Sequence, residues 1–119
     1  MPYFFLSNRI LNCKIILRRS IFIVIIKQQL LDKFVKKHRI TIKSLATWKG
    51  ITENASWEKK QDVLQSFPNA KMIKNNRARF EIVHNKYRLV AEIYYGQNRV
   101  DIRFIGTHSE YDQINASTI

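Results

Sequence analysis

Within the stretch FIGTHSEYD, His108, Glu110, Tyr111 and Asp112 fall inside five residues, directly after an apolar, strand-like run. An imidazole can take up and release protons near neutral pH. A phenol can donate a proton or stack on a flat ring. The same residue types also cap a sheet and pair its charges, and on spacing alone that plainer reading has the edge. A set of arginines further up the chain belongs to the same question, although Glu81–Arg88 and Glu92–Arg103 could equally be cross-strand ion pairs. Arg79, Arg88 and Arg103 each stand in a run of alternating apolar and polar residues. A guanidinium binds phosphate oxygens through two parallel hydrogen bonds, so arginines sharing one face could hold a phosphate beside the proton-transferring groups.

The elements that must position these residues follow from hydrophobic periodicity. RARFEIV sets Phe80 and Ile82 against Arg77, Arg79 and Glu81. KYRLVAEIYY sets Tyr87, Leu89, Ala91 and Ile93 against Lys86, Arg88, Val90 and Glu92. RVDIRFI sets Val100, Ile102 and Phe104 against Arg99, Asp101, Arg103 and Ile105. A period of two predicts three half-buried antiparallel strands, joined by turns at His84-Asn85 and Gln97-Asn98. Two-residue turns would place Ile82 opposite Tyr87, Glu81 opposite Arg88, Ile93 opposite Ile102 and Glu92 opposite Arg103. Apolar partners then meet on one face and charged partners on the other. Arg79, Arg88 and Arg103 would share the polar face, with THSEYD leaving at its rim.

Upstream, IFIVII (residues 21–26) reads as a buried strand, because a spanning helix needs about 20 apolar residues. KQQLLDKF follows it where a secretory leader would need a cleavage site. Leu30, Leu31, Phe34 and Val35 recur at helical spacing, with Lys33, Lys36, Lys37 and Arg39 opposite. A second helix is expected from Thr41 as N-cap, burying Ile42, Leu45 and Trp48. A third runs through SWEKKQDVLQSFP with Ser56 as cap, Val63, Leu64 and Phe67 inward, and Pro68 as the stop. Trp48 and Trp57 are read as core residues. The expectation is an α+β domain over residues 21–119, its N-terminal strand and helices packed on one face of a mainly antiparallel sheet. Residues 1–20 show neither period and are read as an extension, disordered or a start-site artefact, with an extra strand or helix as the alternative.

The chain of 119 residues carries 21 Lys and Arg against 9 Asp and Glu, a formal net charge of +12. Such an excess favours polyanionic partners through phosphate neutralisation and counterion release, and nucleic acid leads among them. The first 60 residues hold most of it, whereas residues 61–119 mix eight basic with six acidic residues. Cys13 is alone, so it makes no intramolecular disulfide, and His38, His84 and His108 have no metal-ligand spacing. Together these features place the chain in the cytoplasm, away from membranes, with no cofactor.

Charge and constellation converge on phosphodiester cleavage in RNA. A 2′-hydroxyl must lose a proton, charge on phosphorus must be stabilised, and the leaving 5′-oxygen must gain a proton. Arg88, Arg103, His108 and Tyr111 are the candidate catalytic residues. Arg77, Arg79, Lys86 and Tyr94 are the candidate RNA contacts, and the reading calls for no metal.

At YRLV and THSEYD the chain resembles the HigB family of bacterial type II toxin–antitoxin toxins, within the wider RelE-like group of messenger-RNA interferases. The resemblance runs from about Ile23 to about Ile114 and includes FPNA after the third helix. It implies a RelE-like fold, cleavage of messenger RNA on the ribosome and neutralisation by a HigA-type helix-turn-helix antitoxin. By position, Arg88 matches an arginine of the group's active face, Arg79 a basic residue of the preceding strand, and His108 and Tyr111 the terminal motif. Glu81 stands where some relatives place a lysine, so a lysine base is not carried over. Two other readings stay open: a toxin of this scaffold acting on a topoisomerase, and a non-catalytic RNA- or ribosome-binding protein.

Overall fold

Alternation in the second half of the chain builds the sheet on which everything else rests. The computed structural model describes residues 22–119, so the expected extension over residues 1–20 lies outside the described residues. Strands β3 (Arg77–Ile82), β4 (Tyr87–Tyr94) and β5 (Arg99–Thr107) form the antiparallel centre. The short β1 (Val24–Ile26) pairs with β5 in parallel, and β2 (Lys71–Ile73), which periodicity does not reveal, pairs with β3. The order across the five-stranded sheet is β1-β5-β4-β3-β2.

Three helices cover one face. Helix α1 (Gln28–Lys37) buries Leu31 and Phe34, with the Phe34 ring edge-on to Tyr87. A 3-10 turn (Arg39–Thr41) leads into α2 (Ile42–Glu53), which buries Leu45, Trp48 and Thr52. Helix α3 (Lys60–Ser66) buries Val63. Trp48 and Trp57 are core residues as expected, packed with Phe67 around Phe80, and the Trp57 indole donates to Ser66 Oγ at 3.0 Å. The domain is α+β, in keeping with a RelE-like fold.

Several local expectations are corrected. Thr41 caps nothing through its side chain, because its hydroxyl donates to the His38 carbonyl at 2.7 Å. Ile42 is exposed rather than buried, and Leu64 also faces solvent. Ser56 precedes α3 by several residues; the N-cap is Lys59, and the carboxylate of Asp62 in the first turn accepts from the main-chain N–H groups of Glu58 and Lys59.

The β3–β4 register is the expected one, with Ile82 opposite Tyr87 and Glu81 opposite Arg88. The β4–β5 register is not. The ladder closes at Tyr94 and Arg99, so Ile93 faces Val100 and Glu92 faces Asp101. The connection is Tyr95 to Asn98, four residues instead of two, with Gly96 and Asn98 in left-handed conformations. A second departure follows in β5. Ala91 pairs with Ile102 but Val90 pairs with Phe104, leaving Arg103 as the extra residue of a bulge. One extra residue reverses the alternation beyond it. Ile105, not Phe104, therefore turns back to the core, and Phe104 joins the opposite face.

Candidate active site

The sheet face away from the helices is where the arginines gather. Arg77, Arg79 and Glu81 come from β3, Arg88, Val90 and Glu92 from β4, and Phe104 and Gly106 from β5 beyond the bulge. Val90 on this face is nonetheless fully buried, and it lies outside the helix-side core. The chain's last residues help to cover the sheet here. Asn75 Nδ2 donates to the Ser117 carbonyl at 2.7 Å, and Arg77 Nη2 donates to the Ile119 main-chain oxygen at 2.6 Å.

Every arginine of the face but one has an acidic partner. Arg79 holds Glu81 at 3.1 Å, and Arg77 approaches Glu92 at 3.8 Å. The side chains of both arginines are only 12–13% exposed, and each Nε is buried without a hydrogen-bond partner. Arg103, displaced by the bulge, donates to Glu92 through Nε at 3.1 Å and lies 4.0 Å from Asp101. The hydrogen bond to Glu92 raises its pKa above the ordinary guanidinium value, against an opposing effect of burial. Arg99 makes two hydrogen bonds to Asp101, at 2.8 and 2.9 Å, and its pKa is raised chiefly by that contact.

Arg88 is the exception. It is 8% exposed and forms no ion pair among the described residues, although Glu81 stands across from it in the ladder. Its Nε donates to Asn85 Oδ1 at 3.1 Å, and its guanidinium lies 5.1 Å from the centre of the Tyr111 ring. A buried cation without a counterion is costly, and here an amide oxygen and a π face partly compensate it. The Nη donors are left for an incoming anion.

Tyr111 reaches Arg88 because β5 turns directly into a short helix, α4 (His108–Tyr111). Thr107 Oγ1 accepts from the Glu110 N–H at 3.2 Å, and Glu110 Oε1 accepts from the Thr107 N–H at 2.9 Å. This capping box assigns Glu110 to folding rather than chemistry, and its Thr-x-x-Glu signature is readable in the sequence. Gly106 lies opposite Arg88, and its missing side chain makes the turn possible. A Cβ there would come within 2.6 Å of Phe104 Cζ and 2.7 Å of Glu110 Oε1. The Phe104 ring in turn packs 6.3 Å from Tyr111.

His108 opens α4, half-exposed, with Nδ1 3.3 Å from Asp112 Oδ2. Asp112 can thus hold the Nδ1 proton and leave Nε2 as the accepting nitrogen. The structure therefore brings Arg88 and Tyr111 together and puts His108 on the same short helix. Lys86 sits in the β3–β4 turn, its ammonium 5.9 Å from the Tyr87 ring. Tyr94 is six residues from Arg88 along β4, roughly 20 Å away, beneath the Arg99 guanidinium at 4.4 Å. Sequence reasoning missed Asn85 and Gly106, since neither carries a signal that periodicity can show.

Among the described residues, no helix is long and apolar enough to cross a membrane, and no group of three or more His, Cys, Asp or Glu could hold a metal ion. Comparison with curated proteins finds no match. Residues 41–114, well over half of the chain, match HigB_toxin, the RelE-like toxic component of a toxin–antitoxin system. The chain belongs to this family of toxins, and its partner is accordingly an antitoxin.

Proposed function

We propose that the protein is an endoribonuclease that cuts messenger RNA on the ribosome, stops translation, and is neutralised in the cytoplasm by a HigA-type antitoxin. The observation that carries this reading is Arg88, a buried guanidinium beside the Tyr111 ring that has no carboxylate partner among the described residues. In cleavage, Arg88 binds the non-bridging oxygens of the scissile phosphate and stabilises the charge that grows there. His108 accepts the proton of the 2′-hydroxyl, whose oxygen attacks phosphorus while the bond to the 5′-oxygen breaks. The products are a cyclic phosphate and a 5′-hydroxyl end, the latter protonated by Tyr111 or by a His108 that has gained the proton.

Arg103, Arg77 and Arg79 add positive potential, but each shares its charge with a carboxylate. They contact RNA backbone beyond the cleaved bond, with Lys86 at the turn and Tyr94 offering a stacking surface further out. The test is to add purified protein to ribosomes translating a defined message and map the 3′ and 5′ ends. New ends within codons, lost in Arg88→Ala, are expected. Ribosome binding without new ends would make the protein a binder, and inhibition of a topoisomerase with intact message would place its target elsewhere.

A further inference from the structure

Arg88 owes its free donors to a neighbour three residues back. We infer that Asn85 is a positioning residue for cleavage: its side-chain oxygen takes the Arg88 Nε–H at 3.1 Å and so aims the remaining donors at the substrate phosphate. This rests on the nuclease reading and adds a residue to it.

The geometry leaves the guanidinium little freedom. Its Cζ lies 5.1 Å from the centre of the Tyr111 ring, its Nε is held by Asn85, and the side chain is buried. What remains is the two-pronged Nη edge, the part of an arginine that matches two phosphate oxygens. A fork already aimed loses little freedom when substrate binds.

The residue type matters as much as its place. An amide oxygen accepts the Nε–H without neutralising the cation, whereas a carboxylate at the same position would become the counterion Arg88 lacks. The turn that presents Asn85 is itself constrained. Val83 and His84 have φ of 53° and 59°, closed by a hydrogen bond from the Lys86 N–H to the Val83 carbonyl at 3.1 Å. A left-handed conformation is unfavourable for any β-branched residue. Asn85 itself has no positive φ, so replacing it with alanine adds no backbone strain.

The experiment compares wild type, Asn85→Ala and Asn85→Asp for single-turnover cleavage of ribosome-bound message, ribosome affinity, melting temperature and the NMR resonance of the Arg88 Nε–H. Asn85→Ala should shift that resonance and slow cleavage at least tenfold, with ribosome affinity and melting temperature close to wild type. Asn85→Asp should keep Arg88 held, match or exceed wild type in melting temperature, and still slow cleavage, because the arginine now has a counterion. A purely structural turn residue would differ for aspartate in cleavage alone, which would stay intact along with stability, and that would overturn the inference. So would an Asn85→Ala protein that cuts within twofold of wild type. Wild-type protein that cuts no message at all would instead overturn the nuclease reading itself.

Discussion

Glu81 stands directly opposite Arg88 in the β3–β4 ladder, yet its carboxylate goes to Arg79, two residues back on its own strand. Cross-strand charge pairing is thus broken at the position where the candidate site needs a free cation. Arg79 absorbs the acid that geometry offers to Arg88, so the two arginines have divided roles: one charge is compensated, the other is kept available.

Glu81→Gln should expose this division. Arg79 would keep an amide acceptor but lose its counterion while its Nε is already unsatisfied, costing about 1 kcal/mol. Freed from the acid, Arg79 should add one phosphate contact to single-stranded RNA, steepening the dependence of log affinity on log salt by about 0.7. Thermal melting and binding titrations across a salt series would check both effects. A lower melting temperature with an unchanged salt slope would mean that Arg79 faces no RNA.

Gly106→Ala is expected to disturb the site more than the fold. The added methyl would meet Phe104 Cζ and Glu110 Oε1, both ends of side chains that can move. Relief comes by pushing Glu110 off the Thr107 N–H or by tilting Phe104 into Tyr111, and either shifts the ring beside Arg88. Overpacking of this kind costs about 1–3 kcal/mol. Cleavage measured well below the melting temperature should fall further than the loss of folded protein explains.

Tyr95 gives a prediction on pH. Its hydroxyl is buried without a hydrogen-bond partner, and burial raises its pKa above the ordinary 10.0. The native state therefore keeps this proton after the unfolded chain has lost it. Stability is unaffected below the ordinary value, falls as pH rises through it, and levels off once the native phenol also ionises. Tyr95→Phe removes both the orphan hydroxyl and the titration. The variant should be more stable by about 1 kcal/mol at neutral pH, and its advantage should widen in melts above pH 10. A smaller advantage at high pH would show that a hydrogen-bond donor or a cation stabilises the ionised phenol after all.

Much of this was legible in the sequence, and what was not has definite physical reasons. Alternation through RARFEIV and KYRLV fixed which residues face the core and aligned Ile82 with Tyr87. It failed at Gln97-Asn98, where Gly96 and Asn98 accept left-handed conformations and lengthen the connection by two residues. A shift by two preserves the faces, so Ile93 still meets an apolar partner in Val100. The bulge at Arg103 is a different kind of miss. RVDIRFI keeps a clean period of two, and nothing in it marks where one residue drops out of the pairing. Periodicity therefore puts Phe104 in the core, while the structure sets it against Tyr111. Arg88 and Tyr111 could each be chosen by residue type, but their contact depends on Gly106 and on the capping box that turns the chain after Thr107. The cover over Arg77 depends on contacts between residues far apart in the chain, which no local pattern encodes.

His108 carries the sharpest test of the proposed mechanism. It is half-exposed and its ring is fixed on one side only, by Asp112, so replacing it should leave the fold nearly intact. His108→Gln retains a hydrogen-bonding side chain but cannot cycle a proton near neutral pH. If His108 is the base, single-turnover cleavage should fall by about 10²–10⁴ while ribosome binding persists. Asp112→Asn should act in the same direction but less severely, because it loosens the imidazole without removing it. If His108 only closes the sheet edge, both changes should cost about 1 kcal/mol or less of stability and leave cleavage alone. Cleavage, binding and melting temperature measured on the same preparations separate the two cases. A His108→Gln protein that cuts at the wild-type rate would leave proton transfer to Tyr111, with Arg88 as the charge it works against.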